Sequence, residues 1–273
     1  MSGEITLRDK SERLQKQLDQ RMIEIAKALP AETMTPQHFA RTVVTLCGKN
    51  PKLLDCNFAS LIGAIMQSAQ LGLSPDPVLG EAWFVPFRDV VTFIPGYKGL
   101  IKLAYQSDQV AKVTAHVVRD GDDFDYEYGL KEKLTHKPKA PMSAKVTHAY
   151  ATLKIKGGDT LFLVLTREEI EAIRKRSPAV KSGKSTPWDT DPEAMAMKSA
   201  LRRVCKLGPS SVTPKLQRAL QLDEQAENGL KQHLSEPFLL PNESDTERDV
   251  DEQELANAAL EAEKQTEDKN GKA

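Results

Sequence analysis

Apolar residues near the N-terminus recur at helical intervals, at Leu14, Leu18, Met22, Ile25 and Leu29. Spacings of three and four place them on one side of an amphipathic helix within residues 1–30. The stripe is narrow, which favours packing against the rest of the chain over a coiled coil. A contact between protomers is the alternative.

Further helices are predicted on both sides of the middle of the chain. A capping residue followed by proline opens a helix at Thr35-Pro36, Asp191-Pro192 and Thr213-Pro214. Another helix is predicted from about Asn57 to Gly72, and Thr166 with Glu169 forms a capping box that opens one more.

Between these helices the apolar period changes to two. Six short runs rich in β-branched and aromatic residues follow one another at Glu81–Phe87, Val90–Ile94, Lys112–Arg119, Phe124–Tyr128, Thr147–Lys156 and Thr160–Leu165. Gly157-Gly158 indicates a hairpin turn between the last two runs. The pattern predicts an α+β fold, with a central, mostly antiparallel sheet flanked by N-terminal and C-terminal helices.

The net charge of −1 hides a strong polarity along the chain. Residues 221–273 contain 15 acidic and 5 basic residues, which leaves 33 basic and 24 acidic residues in 1–220. A basic body indicates a polyanionic partner. Because periodic apolar residues fade beyond about Asp223, we predict an N-terminal helix at 1–30, a core at 31–222 and an acidic, largely disordered tail at 223–273.

Composition disfavours several classes of protein. No apolar run approaches the roughly 20 residues that span a bilayer, and the N-terminus lacks the apolar core of a signal peptide, so a cytoplasmic protein without membrane contact is expected. Cys47, Cys56 and Cys205 lack metal-ligand spacing and are expected to be reduced thiols. The five histidines lie far apart in sequence, so neither a metal site nor a cofactor is expected.

One stretch partly matches a nucleotide-binding motif. Ser182-Gly-Lys-Ser185 corresponds to the end of the phosphate-binding loop G-x-x-x-x-G-K-[ST]. The first glycine of that motif would fall on Pro178, which lacks the amide donor that the loop needs. ATP hydrolysis is therefore disfavoured.

The densest acidic cluster of the basic body consists of Asp120, Asp122, Asp123, Asp125 and Glu127. As magnesium ligands these residues would suit a nuclease. Strand alternation, however, separates the carboxylates from Phe124 and Tyr126, which favours a turn followed by a solvated strand face.

The helix after Asp191 has a row of cations, formed by Lys198, Arg202 and Lys206 with Arg203 nearby. No acidic residue follows Glu193 within this helix, so the like charges repel one another unless an outside polyanion neutralises them. We interpret the row as a track for phosphates, and a solvated surface is the alternative. Trp188, just ahead of the helix, would either stack on a base or pack in the core.

The stretch FIPGYKGLIKLA, residues 93–104, joins a predicted strand to a helix through two glycines. Free amides at the start of that helix suit an anion, which Lys98 and Lys102 would reinforce. Tyr97 is a candidate platform for base stacking. Gly-x-x-Gly also clamps RNA in KH modules, but there the loop joins two helices.

Several longer stretches occur in an order typical of one protein family. They are ALP...MTPQHFARTVVT, CNFASLIGAIMQSAQLGLSPDPVLGEAWFVPF, FIPGYKGLIKLA, HVVRDGDDFDYEYGLKEKLTHKP and WDTDPEAMAMKSALRRVCKLGP. In wording and order they resemble the RecT family of phage and prophage single-strand annealing proteins. The resemblance covers about Leu29 to Asp223 and excludes the acidic tail.

That resemblance implies a β-β-β-α core that binds single-stranded DNA along a basic groove and anneals complementary strands in homologous recombination, without ATP and without a catalytic residue. It also implies a homo-oligomer, as a ring or filament, that holds the annealed duplex. The implied partners are a 5′-to-3′ exonuclease and, as a further candidate, a host single-strand-binding protein. The candidate DNA-binding residues are Tyr97, Lys98, Lys102, Trp188, Lys198, Arg202, Arg203 and Lys206, with Arg119 a weaker candidate. The alternatives are a magnesium-dependent nuclease and a KH-like RNA-binding module.

Overall fold

The computed structural model describes residues 6–30, 34–107, 109–183, 186–208, 214–232 and 234. The predicted cap Thr213 and the acidic tail beyond residue 234 lie outside this part of the chain.

The N-terminal amphipathic segment forms two helices, α1 (Leu7–Gln20) and α2 (Met22–Ala28), which meet at Arg21. The apolar positions that enter the main core are Leu14, Leu18, Ile25 and Leu29. The stripe therefore packs on the body of the same chain, as predicted.

A helical hairpin follows, formed by α3 (Pro36–Lys49) and α4 (Phe58–Leu71) with a 3-10 turn at Pro51–Leu53 between them. Its ends follow the sequence signals. The Thr35 hydroxyl accepts a backbone N–H at the start of α3, and Gly72 ends α4 in the left-handed region at φ 67°. Both predicted helices are confirmed.

A two-stranded antiparallel ribbon, formed by β1 (Ala82–Phe87) and β2 (Val90–Pro95), leads into helix α5 (Tyr97–Tyr105). One face of the ribbon enters the core, where β2 packs against α4. The other face is also largely apolar, because the two strands are apolar at nearly every position. That second face forms part of the candidate site.

The main sheet has three antiparallel strands in the order β3 (Val110–Arg119), β6 (Val146–Ile155) and β7 (Thr160–Thr166). Between β3 and β6 the chain forms a separate hairpin of β4 (Asp123–Glu127) and β5 (Lys133–Lys137). The α+β class, the antiparallel pairing and all six predicted strands are confirmed. The strands of the described region divide among three sheets rather than joining one, and β5 is a strand that the sequence pattern does not predict.

The C-terminal part is helical, with α6 (Arg167–Arg176), α7 (Pro178–Lys181), α8 (Pro187–Thr190), α9 (Pro192–Leu207) and α10 (Pro214–Glu227). Helix α9 packs across the core face of the main sheet, and α10 packs on β2 and α5. Among the helices of the described ranges, none is long and apolar enough to cross a membrane.

Helix α10 continues across the boundary predicted at Asp223, which is itself only 3% exposed. Beyond the helix, the Gln232 side-chain amide donates to the carbonyls of Phe93 and Leu222 at 2.7 and 2.8 Å. The Phe93 N–H donates back to Gln232 Oε1 at 2.9 Å. The folded body thus extends past residue 223, because Ala226 continues the apolar spacing and Gln232 satisfies backbone groups of β2 and α10.

Candidate nucleic-acid interface

Close backbone packing shapes the turn between β2 and α5. The Gly96 N–H donates to the Glu81 carbonyl at 2.8 Å, and a Cβ on Gly96 would overlap the Gly80 carbonyl. A Cβ on Gly99 would overlap the Glu81 carbonyl. The fold itself therefore requires both glycines. Since the loop joins a strand to a helix, it also differs from the clamp of a KH module.

The two lysines of this turn have different surroundings. Lys102 Nζ lies 2.8 Å from a Glu81 carboxylate oxygen and donates to the Gly72 carbonyl at 2.9 Å, so it ties α5 to the end of α4. Lys98 is exposed and forms no ion pair within the described ranges. Lys102 is thus engaged by Glu81 and Gly72, and the expectation that both lysines serve one anion site stays a prediction.

The cation row on α9 has partners inside the protein. Asp223 lies 2.5 Å from Lys198 Nζ and 3.3 Å from an Arg202 guanidinium nitrogen, and Glu227 also pairs with Arg202. Burial favours a lower pKa for Arg202, but the hydrogen bond to Glu227 and the charges of both carboxylates outweigh it and raise that pKa. The expectation that the row needs an outside polyanion is corrected, since α10 supplies the neutralising charges.

These pairs, together with Lys206–Glu224 at 2.6 Å, form what we call the α9–α10 seam. Burial falls along it. The side chains of Lys198 and Arg202 are 14% and 11% exposed, whereas those of Lys206 and Glu224 are 40% and 50% exposed. The inner pairs are therefore structural, and the outer pair is a surface contact of small energetic weight.

Two other candidate cations lie away from the seam. Arg119 Nη2 is 2.6 Å from Glu193, and Arg119 Nε donates to the Met142 carbonyl at 3.2 Å. Arg203 lies 3.6 Å from Glu169. These arginines link β3 to α9 and α9 to α6, and neither lines the groove formed by the other candidates.

A groove of about 560 Å³ lies between the β1–β2 ribbon and α9. Five of the nine candidate residues line it, namely Tyr97, Lys98, Trp188, Lys198 and Arg202. Trp188 is only 6% exposed, so it packs in the core beneath the groove and leaves little ring surface for a base. The turn and the helix that the sequence singled out separately therefore face the same space, while Lys102, Arg119, Arg203 and Lys206 lie elsewhere.

Sequence reasoning missed the apolar wall of this groove. It consists of the outward-facing ribbon residues Trp83, Val85, Phe87 and Ile94. Trp83 is 42% exposed, which is a large value for an indole side chain. A signal was present in the sequence, because AWFVPF and VVTFIP are apolar on both strand faces and a ribbon of two strands cannot bury both.

Among the described residues that line the groove, positive and negative charges are equal in number. They are the cations of Lys98, Lys198 and Arg202 and the carboxylates of Asp191, Asp223 and Glu227. Among its described residues, the groove is thus apolar and aromatic with a largely neutralised ionic edge. Lys98 is the cation there without a described carboxylate partner.

The acidic cluster of β4 has the arrangement that strand alternation predicts. The exposed positions are Asp123, Asp125 and Glu127, whereas Phe124 and Tyr126 pack inward. Within the described part of the chain, no group of three His, Cys, Asp or Glu side chains is placed to hold a metal ion. The structure therefore adds no observation in favour of a magnesium-dependent nuclease.

Asp122 differs from the rest of that cluster because its side chain is only 3% exposed. Its carboxylate accepts hydrogen bonds from the backbone N–H groups of Ala140, Arg119 and Lys139 at 2.8–2.9 Å and lies 3.2 Å from His136 Nε2. These hydrogen bonds hold the pKa of Asp122 well below its ordinary value. Asp122 thus fastens the loop after β5 to the end of β3.

Three of the histidines that are distant in sequence meet in one aromatic cluster. The rings of His116 and His136 are 5.4 and 5.5 Å from that of Tyr150, and His148 is 5.2 Å from Phe124. Strand pairing causes this, because His116 is opposite Tyr150 and His136 is opposite Phe124. Burial lowers the pKa of His116.

The sequence matches one protein family over most of its length. The RecT family model matches residues 37–235. Protein RecT of Escherichia coli (strain K12) is 43% identical over 209 residues, which are 74% of this chain and 76% of that protein. The chain belongs to the RecT family. It is accordingly a DNA recombination and annealing protein.

A second relative of this RecT-family chain is Uncharacterized protein YqaK of Bacillus subtilis (strain 168), 26% identical over 166 residues, which are 61% of this chain and 57% of that protein. The match to the RecT family model, residues 37–235, includes the β1–β2 ribbon, α5 and α7 to α10. It therefore includes every described residue that lines the groove. Helices α1 and α2 precede it. The resemblance drawn from the sequence motifs is thereby confirmed.

Proposed function

We propose that this RecT-family protein binds single-stranded DNA in the groove between the β1–β2 ribbon and α9 and anneals complementary strands without ATP. The observation that carries the proposal is the convergence of Trp83, the Tyr97–Lys98 turn and the Lys198–Arg202 row on one groove. Aromatic platforms beside cations suit single strands, because every base has a face that stacks and every nucleotide has a phosphate.

Trp83 and Lys98 are the contacts available without any rearrangement. The indole of Trp83 is 42% exposed at the groove wall, so a base can stack on it. Such stacking contributes about 1–3 kcal/mol per base and tolerates any sequence. Lys98, which lacks a described carboxylate partner, would hold the adjoining phosphate and leave the Watson–Crick edges unoccupied.

Lys198 and Arg202 would contribute differently because carboxylates already hold them. A phosphate that enters the groove must compete with Asp223 or Glu227 for these cations. The Glu227 side chain is 20% exposed and that of Asp223 is 5% exposed. We therefore expect the Arg202–Glu227 pair to open first, with Lys198–Asp223 staying intact.

Annealing of this kind makes and breaks no covalent bond, so the proposal assigns no catalytic residue and no cofactor. It includes a homo-oligomer whose repeated grooves hold a strand extended for pairing. A 5′-to-3′ exonuclease that exposes the strand and a host single-strand-binding protein are the proposed partners. A cytoplasmic location, as expected from the sequence, gives access to the DNA.

The test uses the full-length protein and two complementary oligonucleotides that carry a donor and an acceptor fluorophore, without any nucleotide triphosphate. Fluorescence anisotropy of one labelled strand across a salt series measures binding. We expect Trp83→Ala to weaken binding by about 1–3 kcal/mol. Lys98→Gln should flatten the salt slope by about 0.7, whereas the control Lys27→Gln, an exposed lysine on α2, should change it less.

The two readouts separate the activity from its location. Wild-type protein that fails to accelerate annealing without ATP would refute the activity. Normal annealing by the wild type, with both groove variants indistinguishable from Lys27→Gln, would refute the groove as the binding site.

A further inference from the structure

The outer face of the main sheet is a second surface with unusual chemistry. Strand register aligns its side chains in four rows across β3, β6 and β7: Lys112–Lys154–Thr160, Thr114–Thr152–Phe162, His116–Tyr150–Val164 and Val118–His148–Thr166. None of these twelve positions is acidic. The opposite face packs against α9, so this face belongs to neither the groove nor the main core.

The β4–β5 hairpin covers one end of this face. Phe124, Tyr126 and Leu134 pack there on a small cluster that includes Tyr150 and Phe162. The other end is uncovered. We call it the open sheet end, and it consists of Lys112, Thr114, His116, Thr152, Lys154 and Thr160. Lys112, Lys154, Thr160 and a ring N–H of His116 can each donate a hydrogen bond to a phosphate oxygen. The Thr114 and Thr152 hydroxyls lie 2.8 Å apart and bond each other, so one of the two donates its proton within the sheet.

The two lysines of the open sheet end oppose each other directly in the β3–β6 register. Both are exposed, and neither forms an ion pair with any residue in the described ranges. Like charges at directly opposed positions destabilise a sheet. Lys154 lies on the central strand, so protection of an exposed sheet edge does not explain its charge.

A β-bulge produces this opposition. The register runs from Val110–Ile155 to Lys112–Lys154, so Ala111 is the extra residue. Without the bulge, Ala111 would face Lys154 and Lys112 would point toward the core beside Leu153. The bulge keeps the apolar residues of β3 inside and at the same time gathers two positive charges on the outer face.

An aromatic ring borders the open sheet end. Tyr128 stacks on Phe162 with ring centroids 4.9 Å apart and an interplanar angle of 17°. Its hydroxyl accepts the Val164 N–H at 2.9 Å, which fixes the ring on β7. Tyr128 is nevertheless 50% exposed, so part of its ring remains available for stacking. Phe162, on which the ring stacks, is paired with Thr152 in the β6–β7 register. Thr152 and Lys154 belong to adjacent rows of the sheet.

We propose that the open sheet end is a second nucleic-acid-binding surface, with Lys112 and Lys154 on the phosphates of a DNA strand and Tyr128 stacked on one of its bases. The occupant follows from charge complementarity, since Lys112 and Lys154 have no ion-pair partner among the described residues and the strand positions of this face include no carboxylate. The carboxylates of Glu132 and Glu169 act on Tyr128 at the border of this surface. His116 lies four positions after Lys112 on β3, a distance of roughly 13 Å, which is long enough for more than one phosphate contact. Because annealing needs two strands, the inference rests on the proposed function and gives the second strand a separate place.

The test compares full-length wild type with the double variant Lys112→Gln/Lys154→Gln. Both side chains are exposed, and removal of their charges relieves the repulsion between the two opposed positions. The variant should therefore fold at least as stably as the wild type. The matched control is Lys16→Gln/Lys27→Gln, which removes the same charge from exposed positions of α1 and α2. The readouts are anisotropy of labelled single-stranded DNA across a salt series, the annealing rate, and oligomer mass by light scattering.

We expect the sheet variant to flatten the salt slope by about 1.4, which corresponds to two phosphate contacts, and to slow annealing more than the control does. Equal salt slopes for the sheet variant and the control would overturn the inference while leaving wild-type annealing intact. A change of oligomer mass with unchanged DNA binding would also overturn it, because the surface would then contact another copy of the chain. Wild-type protein without annealing would instead refute the proposed function.

Discussion

Replacement of Asp223 by asparagine tests whether the α9–α10 seam holds the C-terminal helices together. The Asp223 side chain is 5% exposed and neutralises Lys198 and Arg202, which are 14% and 11% exposed. Removal of one partner from a buried ion pair costs about 3–5 kcal/mol. Because Arg202 keeps Glu227 and asparagine still accepts a hydrogen bond, we expect Asp223→Asn to lower the free energy of unfolding by about 2–3 kcal/mol.

The chain supplies a matched control one residue further along α10. Glu224→Gln removes the same charge from a pair with Lys206 in which both side chains are at least 40% exposed. An exposed ion pair contributes about 0–1 kcal/mol. Urea unfolding of the full-length variants, followed by circular dichroism, gives the free energy of unfolding of each. The curves are fitted with one common slope of free energy against urea concentration. Similar losses for the two variants, or a loss below about 1 kcal/mol for Asp223→Asn, would refute the claim that burial makes the inner pairs structural.

Three other changes have definite expected outcomes. Gly99→Ala forces a Cβ against the Glu81 carbonyl, so we expect it to destabilise the fold by about 1–3 kcal/mol in thermal unfolding, and a neutral effect would contradict the packing of the β2–α5 turn. Arg88, with φ 57° at the tip of the ribbon, should gain about 0.5–1 kcal/mol of stability when replaced by glycine, and a loss measured by urea unfolding would contradict backbone strain there. The lowered pKa of Asp122 means that its stabilisation is complete above the ordinary carboxyl pKa of about 3.9 and is lost as the pH falls toward the folded-state value. Asp122→Asn should therefore have a lower melting temperature than wild type at neutral pH, as followed by near-ultraviolet circular dichroism. The difference in melting temperature between the two proteins should narrow in acid, and a difference that is constant with pH would refute the stabilising role of the Asp122 carboxylate.

Local signals were sufficient for most of the fold. Thr35, Asn57 and Thr166 cap their helices as the sequence predicts, and six strands appear at the six runs rich in β-branched and aromatic residues. Strand β5 escaped prediction because only Leu134 and His136 of its five residues face the aromatic cluster. A strand with so small an apolar contribution depends on its partner β4 for recognition.

The error about the cation row has a tertiary cause. Within α9 the row has no acidic partner, and its partners lie on α10, at and beyond the boundary predicted at Asp223. A signal for them existed, since Asp223 and Glu227 are four residues apart and share a helix side. Ala219, Leu222 and Ala226 continue the apolar spacing through the same stretch. The apolar spacing thus continued to the end of α10 although the prediction stopped the core at residue 222, and the spacing alone could not state which charges would face α9.

The paired state of these cations has a consequence for annealing. A free lysine gains the full attraction of a phosphate, whereas Arg202 must give up Glu227 as it takes one, so the net gain per contact is smaller. Weak contacts of this kind suit a protein that must hold a strand and then release a duplex. We therefore expect Glu227→Gln to strengthen binding of single-stranded DNA and to slow release of the annealed product, as measured by anisotropy and by stopped-flow displacement. Glu224→Gln, whose carboxylate does not line the groove, is the control. An unchanged affinity in Glu227→Gln would show that phosphates do not reach Arg202, and the groove contacts would then be limited to Trp83 and Lys98.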